Sequence, residues 1–168
     1  NQALQQALNP PLEGTGERRF GDWVFRTGDR VMQVRNNYDI LWREEGGTDA
    51  GMGMFNGDIG VIRSIEREVI TVDFDGKIVE YSPDMLGELE PAFAVTVHKA
   101  QGSEYRAVIL AALDGASFLM TRGVLYTAVT RARELFIVVG DPAAVAGMVS
   151  NNRQTRRYSG LRARLTQT

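Results

Sequence analysis

At 168 residues, 43% of them hydrophobic and 24% charged, the chain suits one domain of ordinary size or two small ones and is no disordered polymer. Having no cysteine and a single histidine, it can form neither a disulfide, nor a thiolate metal site, nor a multi-histidine centre. The net charge of −2 hides an asymmetry: residues 1–90 carry 9 basic and 17 acidic side chains, whereas residues 91–168 carry 10 basic and 4 acidic. The second half is therefore either a differently solvated surface or one that meets phosphates. No apolar run approaches the ~20 residues that span a bilayer.

In chain order, "NQALQQALNPP" has helix formers up to Leu8, and Pro10 and Pro11 end the helix. Its abrupt start, without capping context, suggests a chain cut from a longer one. From Trp23 to about Tyr81 the pattern is short β segments: "WVF", "RVMQVRN", "IGVIRSIE", "EVITVDF" and "KIVEYS". The last three alternate tightly, with a turn at Glu66–Arg67–Glu68 and an Asp75–Gly76 hairpin, and together they predict a small antiparallel barrel. Between them "REEGGTDAGMGMFNGD" holds five glycines and reads as a long, mobile loop.

After Pro91 the runs "AFAVTV", "AVILAAL" and "LFIVVG" are almost wholly apolar, as expected for strands buried on both faces. "FLMTRGVLYTAVTRARE" has helical spacing through Ala132, and "PAAVAGMVS" starts a helix with proline in its first turn. Strand and helix in alternation predict a parallel βαβ unit whose ligands collect at the carboxyl ends of the strands, after Val97, around Asp114 and around Gly140–Asp141. The tail "NNRQTRRYSGLRARLTQT" has five arginines and no acid, and is either a packed amphipathic helix or a phosphate contact.

A Walker A loop, G-x-x-x-x-G-K-[ST], is missing: the only Gly-Lys pair, Gly76–Lys77, sits in a hairpin turn and is followed by Ile78. "LFIVVGD" ends in one aspartate, not the paired acids of a Walker B run. Alone, the chain is expected not to hydrolyse a nucleotide.

What the chain does contain is a set of parts in order. "VTVHKAQGSEY" and "LYTAVTRAR" resemble motifs V and VI of superfamily 1 helicases, and "GDRVMQVRNNYD" with "FNGDIGVI" resembles the RecD-like, 5′-to-3′ bacterial DNA helicases within that superfamily. The resemblance implies an α/β fold: a RecA-like parallel-sheet motor domain of the P-loop NTPase type with an inserted SH3-like β-barrel. Residues 1–22 and 91–168 would belong to the motor domain and 23–90 to the barrel. It also implies a cytoplasmic protein that hydrolyses ATP with Mg2+, both held mainly by an N-terminal motor domain outside this chain. Its partners would be that domain, single-stranded DNA and a duplex junction.

By the same resemblance Arg131 reaches the γ-phosphate across the cleft, Glu104 bonds the ribose, and Gly102 lets the backbone turn near the phosphates. Thr96 and His98 touch the DNA strand, and Lys99 either joins them or merely covers the surface. Arg35, Asn36 and Asn37, followed by Tyr38, leave a strand and border the DNA path, or else supply ordinary turn chemistry. Arg133 would face elsewhere on the motif VI helix. The "FNGDIG" element reads as structural, with a turn at Asn56–Gly57. In this family "NNYD" usually runs more directly into "FNGD", so "ILWREEGGTDAGMGM" is an expansion. Two other readings share these features: the helicase half of a conjugative relaxase, and a non-catalytic nucleic-acid-binding module built on the barrel.

Overall fold

A computed structural model describes residues 1–113 and 119–153. Asp114 and the tail beyond Arg153, for which ligand and phosphate roles are expected, lie outside the described residues. The chain divides into two compact units, Asn1–Gly102 and a second beginning at Ser103.

The first unit opens with α1 (Gln2–Leu8), followed by a hairpin of β1 (Glu17–Phe20) and β2 (Trp23–Arg26). Seven antiparallel strands follow: β3 (Arg30–Gln33), β4 (Asn37–Glu44), β5 (Ala50–Met54), β6 (Ile59–Glu66), β7 (Val69–Phe74), β8 (Lys77–Tyr81) and β9 (Leu89–Pro91). They pair in the order β5-β4-β8-β7-β6-β3-β9 and curl like half a barrel. Strict alternation drives this: in β7 the side chains of Ile70, Val72 and Phe74 are buried while their neighbours are only half covered. They pack with Phe25, Val31, Ile62, Val79, Tyr81 and Leu86 into one core. Both predicted hairpin turns form, with positive φ at Arg67 and Glu68 and again at Asp75 and Gly76.

The glycine-rich stretch is not a loop. Trp42 and Arg43 pair with Gly51 and Ala50, so residues 37–54 form a long hairpin arm at the sheet's edge. Glycine is used here for close approach: a Cβ on Gly51 would lie 2.5 Å from the Trp42 ring.

A buried polar chain runs through this unit. The Tyr81 hydroxyl donates to Gln33 Oε1 at 2.8 Å, and Gln33 Nε2 donates to Glu88 Oε2 at 2.8 Å. Asn37 Nδ2 then donates to both Glu88 oxygens, at 3.2 and 3.0 Å. Burial, reinforced by the charges of Glu88 and Asp58, pushes the Tyr81 hydroxyl well above its ordinary 10.0. The folded state thus holds this proton more tightly than the unfolded chain. The resulting stabilisation is complete below about pH 10 and is lost as pH climbs above it. Tyr81→Phe should therefore cost about 1–3 kcal/mol at pH 8 by leaving Gln33 Oε1 unpaired. The gap from the parent should narrow by pH 11, as read by urea unfolding at the two pH values. A gap of constant size would contradict the raised value.

The second unit contains β10 (Tyr105–Ala112), α2 (Arg122–Val129), β11 (Ala132–Gly140) and α3 (Pro142–Ser150). β10 and β11 pair in parallel, as the βαβ pattern predicts, and Thr121 and Asp141 cap the two helices. Three expectations are corrected. "AFAVTV" forms no strand; its backbone turns back into the first unit, where Ala92 N–H donates to Arg30 O at 2.7 Å and Ala94 N–H to Asn1 Oδ1 at 2.8 Å. The α2 helix ends at Val129, before Arg131, since Val129 and Thr130 are β-branched and poor helix formers at its last turn. Among the described residues the strands are not buried on both faces: Ile109, Leu135 and Val139 are more than half exposed, since the two described helices leave part of the parallel pair uncovered.

Candidate functional site

Arg131 and Glu104 converge at one edge of the β10–β11 pair. Tyr105 N–H donates to Arg131 O at 2.8 Å and Tyr105 pairs with Ala132, which aligns the turn before β10 with the turn before β11. The two motif residues thus sit at the amino ends of the strands, not the carboxyl ends where the βαβ pattern would place a ligand. Each is carried by the turn that leads into its strand, and parallel pairing brings the two turns to the same edge. At the carboxyl edge, Asp141 is spent on capping α3, accepting from Ala143 N–H at 2.8 Å.

Arg131 is fixed by its surroundings. Its Nη1 donates to the Ser103 carbonyl at 2.9 Å, Nη2 lies 3.4 Å from Thr130 Oγ1, and Nε is buried without a partner. A guanidinium held this way, with each Nη carrying two hydrogens, still has an N–H on each Nη to offer an anion. Glu104, half exposed, accepts at Oε2 from Arg133 Nε at 2.7 Å. Arg133 therefore lies on β11 and faces Glu104, rather than facing away on a helix. The sequence places this residue on the motif VI helix, facing elsewhere; the end of α2 at Val129 puts it on a strand instead.

The first unit carries the other candidates. Residues 96–102 make successive turns: Ala100 N–H donates to Thr96 O at 3.1 Å, Gln101 N–H to His98 O at 3.2 Å, and Lys99 N–H to Thr96 Oγ1 at 3.3 Å. Gly102 has φ +89°, which a residue with a side chain rarely adopts. Thr96 and His98 are exposed. Lys99 Nζ pairs with Glu90 at 2.5 Å, so its charge is already partnered.

At the exit of β3, Asn36 joins two segments: its Oδ1 accepts from Asn56 N–H at 2.9 Å and its Nδ2 donates to Tyr38 OH at 3.2 Å. Asn37 is fully engaged by Glu88 and by the N–H groups of Asp39 and Ile40, each at 3.1 Å. Turn chemistry therefore accounts for Asn37, which can serve a ligand only by holding the exit in place. Arg35 is exposed and makes no side-chain bond among the described residues. Tyr38 and Phe55, 64% and 48% exposed, meet edge to face at 5.8 Å beside it. The "FNGD" element forms its predicted turn, with Gly57 at φ +102° and Phe55 N–H donating to Asp58 Oδ2 at 2.7 Å.

Among the described residues no helix is long and apolar enough to cross a membrane, and no group of three or more His, Cys, Asp or Glu residues could hold a metal ion.

Two family models match the chain. The SH3 domain of ATP-dependent RecD-like DNA helicases covers residues 1–74, and the UvrD-like helicase C-terminal domain covers residues 91–139. The ATP-dependent RecD2 DNA helicase of Deinococcus radiodurans is 34% identical over 93% of this chain and 20% of its own length. The RecBCD enzyme subunit RecD is 33% identical in Mycolicibacterium smegmatis, over 98% of this chain and 26% of that protein. In Mycobacterium tuberculosis it is 39% identical, over 93% of this chain and 24% of that protein. The chain thus spans about a fifth to a quarter of the curated relatives it matches. A crystal structure of Bacteroides Pif1 bound to ssDNA superposes on 82% of this chain and 37% of its own, with a TM-score of 0.50 at 19% identity, a likeness of fold.

Proposed function

Because the chain is a relative of the RecD-like DNA helicases and matches their C-terminal part, we propose that it supplies the second motor domain and SH3-like barrel of an ATP-dependent, cytoplasmic 5′-to-3′ DNA helicase. In this reading residues 1–22 and 91–168 are parts of the motor domain and 23–90 are the inserted barrel. ATP and Mg2+ are held mainly by a partner motor domain of the same protein, one that carries the Walker motifs. The observation that carries the reading is the convergence of Arg131 and Glu104 on one strand edge. There a fixed guanidinium can meet the γ-phosphate while a carboxylate accepts from the ribose.

Thr96, His98 and Arg35 are the exposed groups assigned to single-stranded DNA, with Lys99 joining them if DNA displaces Glu90. The hydroxyl, imidazole and guanidinium bond phosphate oxygens, and Tyr38 stacks on a base while Asn36 and Asn37 hold it in place. Nucleotide drives movement only in so far as it binds the closed cleft more tightly than the open one.

A strand-displacement assay of the full-length protein tests this. It should unwind a duplex bearing a 5′ single-stranded tail and leave a 3′-tailed duplex intact. Unwinding of the 3′-tailed duplex alone would reverse the assigned direction, and no unwinding of either would remove the helicase reading.

A further inference from the structure

We propose that Arg133 is a positioning residue for nucleotide recognition: it holds the Glu104 carboxylate by Oε2 so that Oε1 is presented to a ribose hydroxyl. This rests on the reading of Glu104 as the ribose contact. The geometry behind it is a register irregularity. Tyr105 pairs with Ala132, but Ala107 pairs with Leu135, so β11 carries one extra residue opposite Arg106. Residues two apart on a regular strand share a face, and neighbours take opposite faces. Glu104 and Arg106 are two apart, yet their partners Arg133 and Glu134 are neighbours, at 2.7 Å for the first pair and 3.1 Å for the second. A regular ladder cannot make both pairs. The bulge makes both possible, as bulges re-aim side chains at the edges of sites.

The Arg133–Glu104 pair is 66% and 50% exposed, too open to contribute much to stability. What it can do is restrict a flexible carboxylate. A free glutamate samples many rotamers and must lose that freedom when a hydroxyl binds, whereas a tethered one has lost it beforehand. Oε1 has no protein partner among the described residues, so one acceptor stays open on the edge that Arg131 shares.

The test uses the full-length protein and steady-state DNA-stimulated ATP turnover. Arg133→Ala should raise KM for ATP by about three- to fivefold and leave kcat within about twofold, with Arg133→Lys in between. The preference for ATP over 2′,3′-dideoxy-ATP, which has no ribose hydroxyl to offer, should shrink by the same factor. Adding Arg133→Ala to Glu104→Ala should then change nothing further. An unchanged KM in Arg133→Ala, or effects of the two substitutions that multiply, would overturn the proposal while leaving Glu104 in place. An unchanged KM and sugar preference in Glu104→Ala would instead remove the ribose contact itself, and the proposal with it.

Discussion

Arg131→Ala in the full-length protein is expected to lower DNA-stimulated kcat by a factor of about 10³ or more, the range typical of a guanidinium that stabilises phosphoryl transfer. Affinity for single-stranded DNA should stay within about twofold, since Thr96, His98 and Arg35 are untouched. The size of the effect follows from how the side chain is held. With Nη1 on the Ser103 carbonyl, the guanidinium is fixed before charge develops, so no reorganisation is needed at that moment. Arg131→Lys should recover little, because an ammonium cannot bond Ser103 and an anion with the same fixed, planar spacing. The substitution also removes one ordinary hydrogen bond, worth about 1 kcal/mol, so thermal unfolding of the variant separates a loss of catalysis from a loss of fold. Turnover within tenfold of the parent would take Arg131 out of the site.

Asp29→Ala should be the most damaging single change to the first unit, lowering its stability by about 3–5 kcal/mol in urea unfolding. Asp29 is fully buried, and its carboxylate gathers donors from three places. Gln5 Nε2 donates to Oδ2 at 2.6 Å and Arg26 N–H to the same oxygen at 2.8 Å, while Asn9 Nδ2 donates to Oδ1 at 2.8 Å. Removing the acceptor takes a partner from all three donors in a region where Gln5 is itself buried, although Gln5 Nε2 keeps Val24 O and Asn9 Nδ2 keeps Thr27 O. Asp29→Asn keeps the shape but turns one acceptor into a donor facing a donor, so it should fall between. A loss under about 1 kcal/mol for Asp29→Ala would mean that water replaces the carboxylate at no great cost.

The strands β6, β7 and β8 were legible because alternation and an Asp-Gly turn encode them locally. The hairpin arm was not: its glycines imitate a loop, and their real use, the close approach of Gly51 to Trp42, is a tertiary fact. "AFAVTV" has the apolar content of a strand, but apolar content does not supply a pairing partner, and here the backbone bonds elsewhere. Of the candidate site, Arg131 and Glu104 could be named from their motifs, yet their placement at the amino edge depends on strand direction. Arg133 was misplaced for a different reason. Helical spacing continues past Thr130, while the actual turn and the extra residue in β11 reverse which way the side chain points. Asp29 passed unremarked inside "GDRV", since nothing local says that a helical residue 24 positions earlier, Gln5, will reach it.

The Asp29 junction also bears on the order of events during synthesis. The α1 helix is fastened through side chains: Gln5 Nε2 donates to Val24 O and to Asp29, and Asn9 Nδ2 donates to Thr27 O and to Asp29. These acceptors all lie downstream, as does Ala94, which exchanges two hydrogen bonds with the Asn1 side chain. During synthesis this docking can form only once the β2–β3 corner has left the ribosome. In refolding, substitutions that weaken only α1 docking should speed unfolding while leaving the folding rate almost unchanged, the mark of a late-arriving element.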